Sequence, residues 1–117
     1  DVFVVWIDHE NAKLFQFSDE KMERFQVHSK VTDHHTHRLD HFDRAEQEKK
    51  LYKAVSERLP QANSILIIGP GDAKIHFQDH LTLHHPALAK KVVACETVDH
   101  PTDPQIAAMA RKFFRWA

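Results

Sequence analysis

The stretch Ser64-Ile-Leu-Ile-Ile-Gly-Pro-Gly-Asp-Ala-Lys74 holds three signals in eleven positions. Ser64 to Ile68 is a β-branched and aliphatic run with no polar alternation, the pattern of a strand buried on both faces. Gly69-Pro-Gly-Asp72 is a tight connection. After it, Ala73, Phe77 and Leu81 recur at i, i+4 and i+8, which predicts a helix over about Ala73 to Leu83. A strand covered on both faces and followed at once by an amphipathic helix belongs to an α/β sheet.

Downstream, Lys91-Val-Val-Ala-Cys95 predicts a fifth strand. Thr102 and Gln105 have the spacing of a capping box and open a last helix, with a stripe of Ile106, Met109, Ala110, Phe113 and Trp116. Upstream, Asp43 with Glu46 has the same capping pattern, and the helix behind it carries Leu51, Val55 and Leu59 before Pro60 and Asn63 end it. The N-terminal third reads as a meander of three strands: Val2 to Ile7, Asn11 to Phe17, and Lys21 to His28. In the second, Ala12 and Leu14 oppose Lys13, Phe15 and Phe17; in the third, Phe25 and Val27 oppose Arg24 and Gln26. Asp8-His-Glu-Asn11 supplies the turn between the first two. The element order is therefore βββ-α-β-α-β-α, a mixed five-stranded sheet with helices on its faces, expected to form one domain over residues 1–117.

Ser29 to Phe42 breaks every period. It is polar, with His34, His35, His37 and His41 alongside Arg38, and reads as an exposed loop long enough to carry function. The chain has 11 histidines among 117 residues, and its formal charge is −1, from 16 Lys and Arg against 17 Asp and Glu. That balance argues against affinity from a fixed basic footprint. Below the ordinary imidazole value of about 6.5 the same surface becomes cationic. The lone Cys95 excludes an internal disulfide and suits a reducing cytoplasm. No apolar run approaches the roughly 20 residues of a membrane span. Residues 1–8 lack the order of a signal peptide, and no initiator Met precedes Asp1, as expected of a trimmed N-terminus.

Several chemistries suit these residues. His34, His35, His37 and His41 are candidate ligands for Zn²⁺ or Ni²⁺, with Asp33 or Asp40 and His100 as additional donors, although their spacing matches no compact zinc signature. Otherwise no cofactor is expected. The same histidines with Arg38 are candidate contacts to phosphate, RNA or a protein partner. His76, His80 and His84 repeat every four residues. Such pairs can chelate a metal, but the simpler expectation is an exposed polar face beside the Phe77/Leu81 stripe. Gly69 to Asp72 lacks the Gly-Lys-[Ser/Thr] ending of a nucleotide loop, and Asp72 at the N-cap would put a carboxylate where a phosphate would sit. Asp8, with Glu10, Asp72, Glu96 and Asp99 as companions, is the one candidate centre for a Mg²⁺-dependent nuclease, which requires converging carboxylates. A turn role for Asp8 is the simpler reading. Cys95, Trp6 and Trp116 read as core.

The run Gly69-Pro-Gly-Asp-Ala-Lys74, then Phe77, Leu81, His85-Pro86 and Leu88-Ala-Lys-Lys-Val-Val93, resembles the central domain of archaeal and eukaryotic class-I peptide-chain release factors and their Pelota relatives. Val5-Trp-Ile-Asp-His9 and Glu96-Thr-Val-Asp-His-Pro101 are similar to the small stand-alone bacterial proteins of that fold called "translational machinery protein". The resemblance implies a ribonuclease-H-like sheet and a role at or near the ribosome; the leading expectation for this chain is a non-enzymatic accessory protein associated with the ribosome or RNA. In release factors the loop before the first helix carries Gly-Gly-Gln. This chain has two glycines, Gly69 and Gly71, split by Pro70, so that motif is absent from it. Its loop reads Asp33-His-His-Thr-His-Arg-Leu-Asp-His41, and peptidyl-tRNA hydrolysis by the family's route is not expected. Nor do 117 residues leave room for the domains with which release factors read stop codons and bind GTPases.

Overall fold

The computed structural model describes residues 1–18, 21–28, 41–60 and 62–114, with residues 41–43 described by their backbone alone. The elements run β1 (Val2–Ile7), β2 (Asn11–Ser18), β3 (Lys21–His28), α1 (His41–Ser56), β4 (Ser64–Gly69), α2 (Ala73–His84), α3 (Pro86–Ala89), β5 (Val92–Thr97) and α4 (Asp103–Phe114). The five strands form one sheet in the order β3-β2-β1-β4-β5. β1, β2 and β3 pair antiparallel, while β4 lies parallel to both β1 and β5.

The central strands are apolar on both sides because each side is covered. On one face Val5, Ile7, Leu14, Ile65 and Ile67 pack against Leu51, Tyr52 and Val55 of α1, Phe77 and Leu81 of α2, and Leu88 of α3. On the other, Val4, Trp6, Phe15, Leu66 and Ile68 meet Ile106 and Ala110 of α4. The result is an α/β/α sandwich, with helices of β-α-β crossovers on one face and the final helix on the other. No helix among the described residues is long and apolar enough to cross a membrane.

Four local expectations are corrected. α1 is already helical at His41, so Asp43 lies inside it and cannot be its N-cap, and the polar segment ends before His41. Asp72 does stand at the N-cap of α2, but its side chain makes no capping bond; the first-turn amides of Ile75 and His76 donate instead to its backbone carbonyl at 2.9 and 3.0 Å. The short α3, with Pro86 in its first turn, stands between the helix expected to end near Leu83 and the strand expected from Lys91, where no element is expected from the sequence. In α4, Phe113 is 42% exposed, and Phe114 packs on the core instead. Phe114 continues the row Ile106, Ala110 at four-residue steps, whereas Phe113 falls to one side of it. The Thr102–Gln105 box is formed: the Thr102 amide donates to Gln105 Oε1 at 2.8 Å and the Gln105 amide to Thr102 Oγ1 at 3.3 Å. Trp116 lies outside the described residues.

Candidate functional site

β1, β3, β4 and β5 all point their C-terminal ends at one edge of the sheet, since β3 is antiparallel to β2 and β2 to β1. The β1–β2 turn, the Gly69–Asp72 connection and the Val98–Thr102 connection therefore gather there. So does the end of β3, from which the chain continues into residues 29–40. In open α/β sheets this edge is where the strand order leaves room for ligands.

Histidines from separate parts of the chain ring this edge. His9 Nδ1 is hydrogen-bonded to Glu48 Oε2 of α1, and its ring stands 6.3 Å from that of His76 at the start of α2. His28, the last residue of β3, is hydrogen-bonded through Nδ1 to Asn11 Oδ1 across the ladder. His100 lies 5.2 Å from the Trp6 ring and 2.8 Å from its neighbour Asp99. Trp6 is fixed from three sides: its indole N–H donates to the Asp99 carbonyl at 2.9 Å, His100 tilts over it, and Lys13 Nζ sits 5.6 Å from its centroid. His9, His28, His76 and His100 thus place four exposed imidazoles around one rim.

The carboxylates here are engaged one by one. Asp8 Oδ1 accepts the amides of Glu10 at 2.8 Å and Asn11 at 2.6 Å, which makes it the keystone of its own turn. Glu48 is held by His9 and Asp99 by His100. Among the described residues no three His, Cys, Asp or Glu side chains are placed to hold a metal ion. Asp8, Glu10, Asp72, Glu96 and Asp99 accordingly supply no group of three converging carboxylates. A turn role makes a prediction: Asp8→Ala should cost about 1 kcal/mol in chemical denaturation through loss of a side chain that closes the turn, and Asp8→Asn, which keeps an acceptor, much less. Equal losses in the two variants would contradict that role.

Of the candidate contact residues, His34, His35, His37 and Arg38 lie outside the described residues, as does the His41 side chain. Asp33 and Asp40 do as well. The edge from which they extend is described, and sequence reading did not bring together the residues that furnish it. His9, Glu48 and His76 are brought together from three elements, and no short spacing announces them.

The histidines of α2 do not share one exposed face. His76 and His84 are exposed, but His80 is turned toward α1 and half-buried, with its ring 5.9 Å from Tyr52 and stacked on Phe77 at 6.4 Å. Burial, with His84 and His85 close by, lowers its proton affinity. Tyr52 is pushed well above the usual phenol range by burial and by Glu48. Cys95 is half-buried on the sheet-edge strand, against the first core cluster; burial raises its thiol despite the pull of Lys74.

No protein-family model matches the chain. In sequence it is similar to the Pelota homolog of Methanocaldococcus jannaschii, 29% identical over 94 residues, which are 79% of this chain and 26% of that protein. In fold it matches the archaeal translation termination factor aRF1 with a TM-score of 0.70 over 95% of this chain and 33% of that one, at 16% identity. Archaeoglobus fulgidus Pelota matches with a TM-score of 0.67 over 95% of this chain and 30% of that one, again at 16% identity. The chain thus has the fold of one part of Pelota and aRF1, and spans about a quarter to a third of their length.

Proposed function

We propose that this protein is a non-enzymatic accessory factor of translation that associates with the ribosome or its RNA. The observation that supports it is the joint likeness in sequence to a Pelota homolog, over 79% of the chain, and in fold to a translation termination factor, over 95% of it. The chain carries no Gly-Gly-Gln, and the reading is accordingly one of contact and not of peptidyl-tRNA hydrolysis by that motif. The contact we assign is the histidine-rich segment, with His34, His35, His37, Arg38 and His41 meeting phosphate or a partner surface. The rim imidazoles His9, His28 and His76 lie at the sheet edge from which that segment departs, and offer ring nitrogens beside it.

The test is co-sedimentation with ribosomes at about pH 6 and about pH 8, on either side of ordinary imidazole titration. Wild type should co-sediment, more at the lower pH. The variant with His34, His35, His37 and Arg38 all changed to Ala should lose this while keeping the wild-type melting temperature. Failure of wild type to co-sediment at any salt or pH would remove the proposal. Untagged protein heated with Zn²⁺ or Ni²⁺ provides the other arm. Stabilisation of about 2.7 kcal/mol at a hundred times the dissociation constant, lost in the same variant, would turn the segment into a transition-metal site instead.

A further inference from the structure

α1 and α2 meet along a seam in which one histidine is turned in while its neighbours stay out. Four rings close on His80: Tyr52 of α1 at 5.9 Å, Phe77 stacked at 6.4 Å with 13° between planes, His84 at 4.7 Å and His85 at 5.8 Å. His80 Nε2 is buried without a hydrogen-bond partner, and so is the hydroxyl of Tyr52, a residue only 6% exposed. His85 is tied to the same helix, its Nε2 lying 3.2 Å from Ser56 Oγ. The seam is therefore built of imidazole and phenol groups, with Glu48 bearing on Tyr52 but not on His80.

The groups facing His80 decide what a proton would do there. From α1 comes Tyr52, whose phenol stays protonated, and one turn earlier Glu48, which is engaged by His9. From its own helix comes His84, and from the turn into α3 comes His85; no carboxylate contributes to its proton affinity. A neutral His80 packs its ring against Phe77 and Tyr52 and brings no charge into the seam. A protonated one puts a cation into an enclosed site beside two further imidazoles and an apolar ring.

We propose that His80 is an acid-sensitive latch between α1 and α2, closed while its ring is neutral and released on protonation, so that α1 loosens while the sheet stays folded. The sign follows from linkage. The folded ring takes up its proton less readily than the ring in the unfolded chain, whose ordinary value is 6.5. The seam keeps its full stability above that value and loses it as the pH falls below. This reading is independent of ribosome association and goes beyond it: the device would set how firmly α1, the helix directly after the histidine-rich segment in the chain, is held to the rest of the molecule.

Amide hydrogen exchange at about pH 7.5 and about pH 5.5, corrected for intrinsic chemistry, tests the latch. In wild type the amides of α1 from Arg44 to Ser56 should exchange severalfold faster at the lower pH, while those of β1 and β4 hold. His80→Phe, which keeps a ring against Phe77 and Tyr52 but cannot titrate, should lose the acid response. An undiminished response in His80→Phe, or α1 and the central strands opening together, would overturn the proposal. Should His80→Phe fail to fold, the imidazole of His80 in wild type can be titrated by NMR. A midpoint below 6.5 that rises in His84→Gln supports the latch, and a midpoint at or above 6.5 overturns it.

Discussion

Replacing Gly69 by alanine should destabilise the protein by about 3 kcal/mol, with a melting temperature roughly 12 °C lower, whereas the same change at Gly71 should be close to neutral. These are the chain's two glycines. Gly69 closes β4 in the middle of the sheet. A Cβ built on it would overlap the carbonyl oxygen of Ile7 and press on the carbonyl carbon at 3.3 Å. Both are backbone atoms of β1, which is clamped between β2 and β4 and cannot step aside without breaking ladder bonds. Gly69 also accepts the amide of Val98 at 3.0 Å, so a displaced Gly69 would disturb the connection out of β5 and, through Asp99, the anchor of Trp6. Around Gly71 a Cβ meets nothing within 4 Å. Gly71→Ala would at most restrict the unfolded chain, a gain of about 0.4–1 kcal/mol where the backbone accepts it. Thermal melts of the two variants side by side decide the matter; similar losses in both would mean that the close approach of β1 and β4 is not what Gly69 serves.

The fold was legible where burial leaves a local trace. Val2–Ile7 and Ser64–Gly69 are covered on both faces, and a strand in that position has no polar residue to hide. The Phe77/Leu81 and Ile106/Ala110 rows are one-sided, and helical spacing records this directly. The start of α1 was missed because its first residues, His41 to Arg44, follow a polar run with no apolar period; an acid three residues after Asp43 imitates a cap just as well inside a helix as at its end. His80 was misplaced for a related reason. Positions 76, 80 and 84 are equivalent by spacing, and what distinguishes them is which turn of α2 faces Tyr52 and Ser56 of α1, a fact about the packing of two helices. The histidines of the rim were illegible in the same sense: His9 reaches Glu48 across 39 positions. Asp8 was readable because its partners are two and three residues away.

Phe77→Ala should be the most damaging of the core truncations, at about 3–5 kcal/mol. Phe77 is fully buried, and its ring joins the three parts of its layer: the sheet beneath, Tyr52 of α1 at 5.9 Å, and the stacked His80. Truncation leaves a ring-sized cavity that the sheet cannot collapse into, because Ile65 and Ile67 are fixed by pairing on both sides of β4. Phe77→Leu refills most of that volume and should cost less than half as much. The two core clusters lie on opposite faces of the sheet and share no helix. The loss from Phe77→Ala should therefore add to that from Ile106→Ala within about 0.5 kcal/mol, while it should couple with Tyr52→Phe by more than that. Denaturant titrations of the single and double variants measure both. Strong coupling between Phe77 and Ile106 would mean that the sheet transmits strain from one helical layer to the other. A latch confined to the α1–α2 seam would then be ruled out, since opening that seam could not leave β1 and β4 undisturbed.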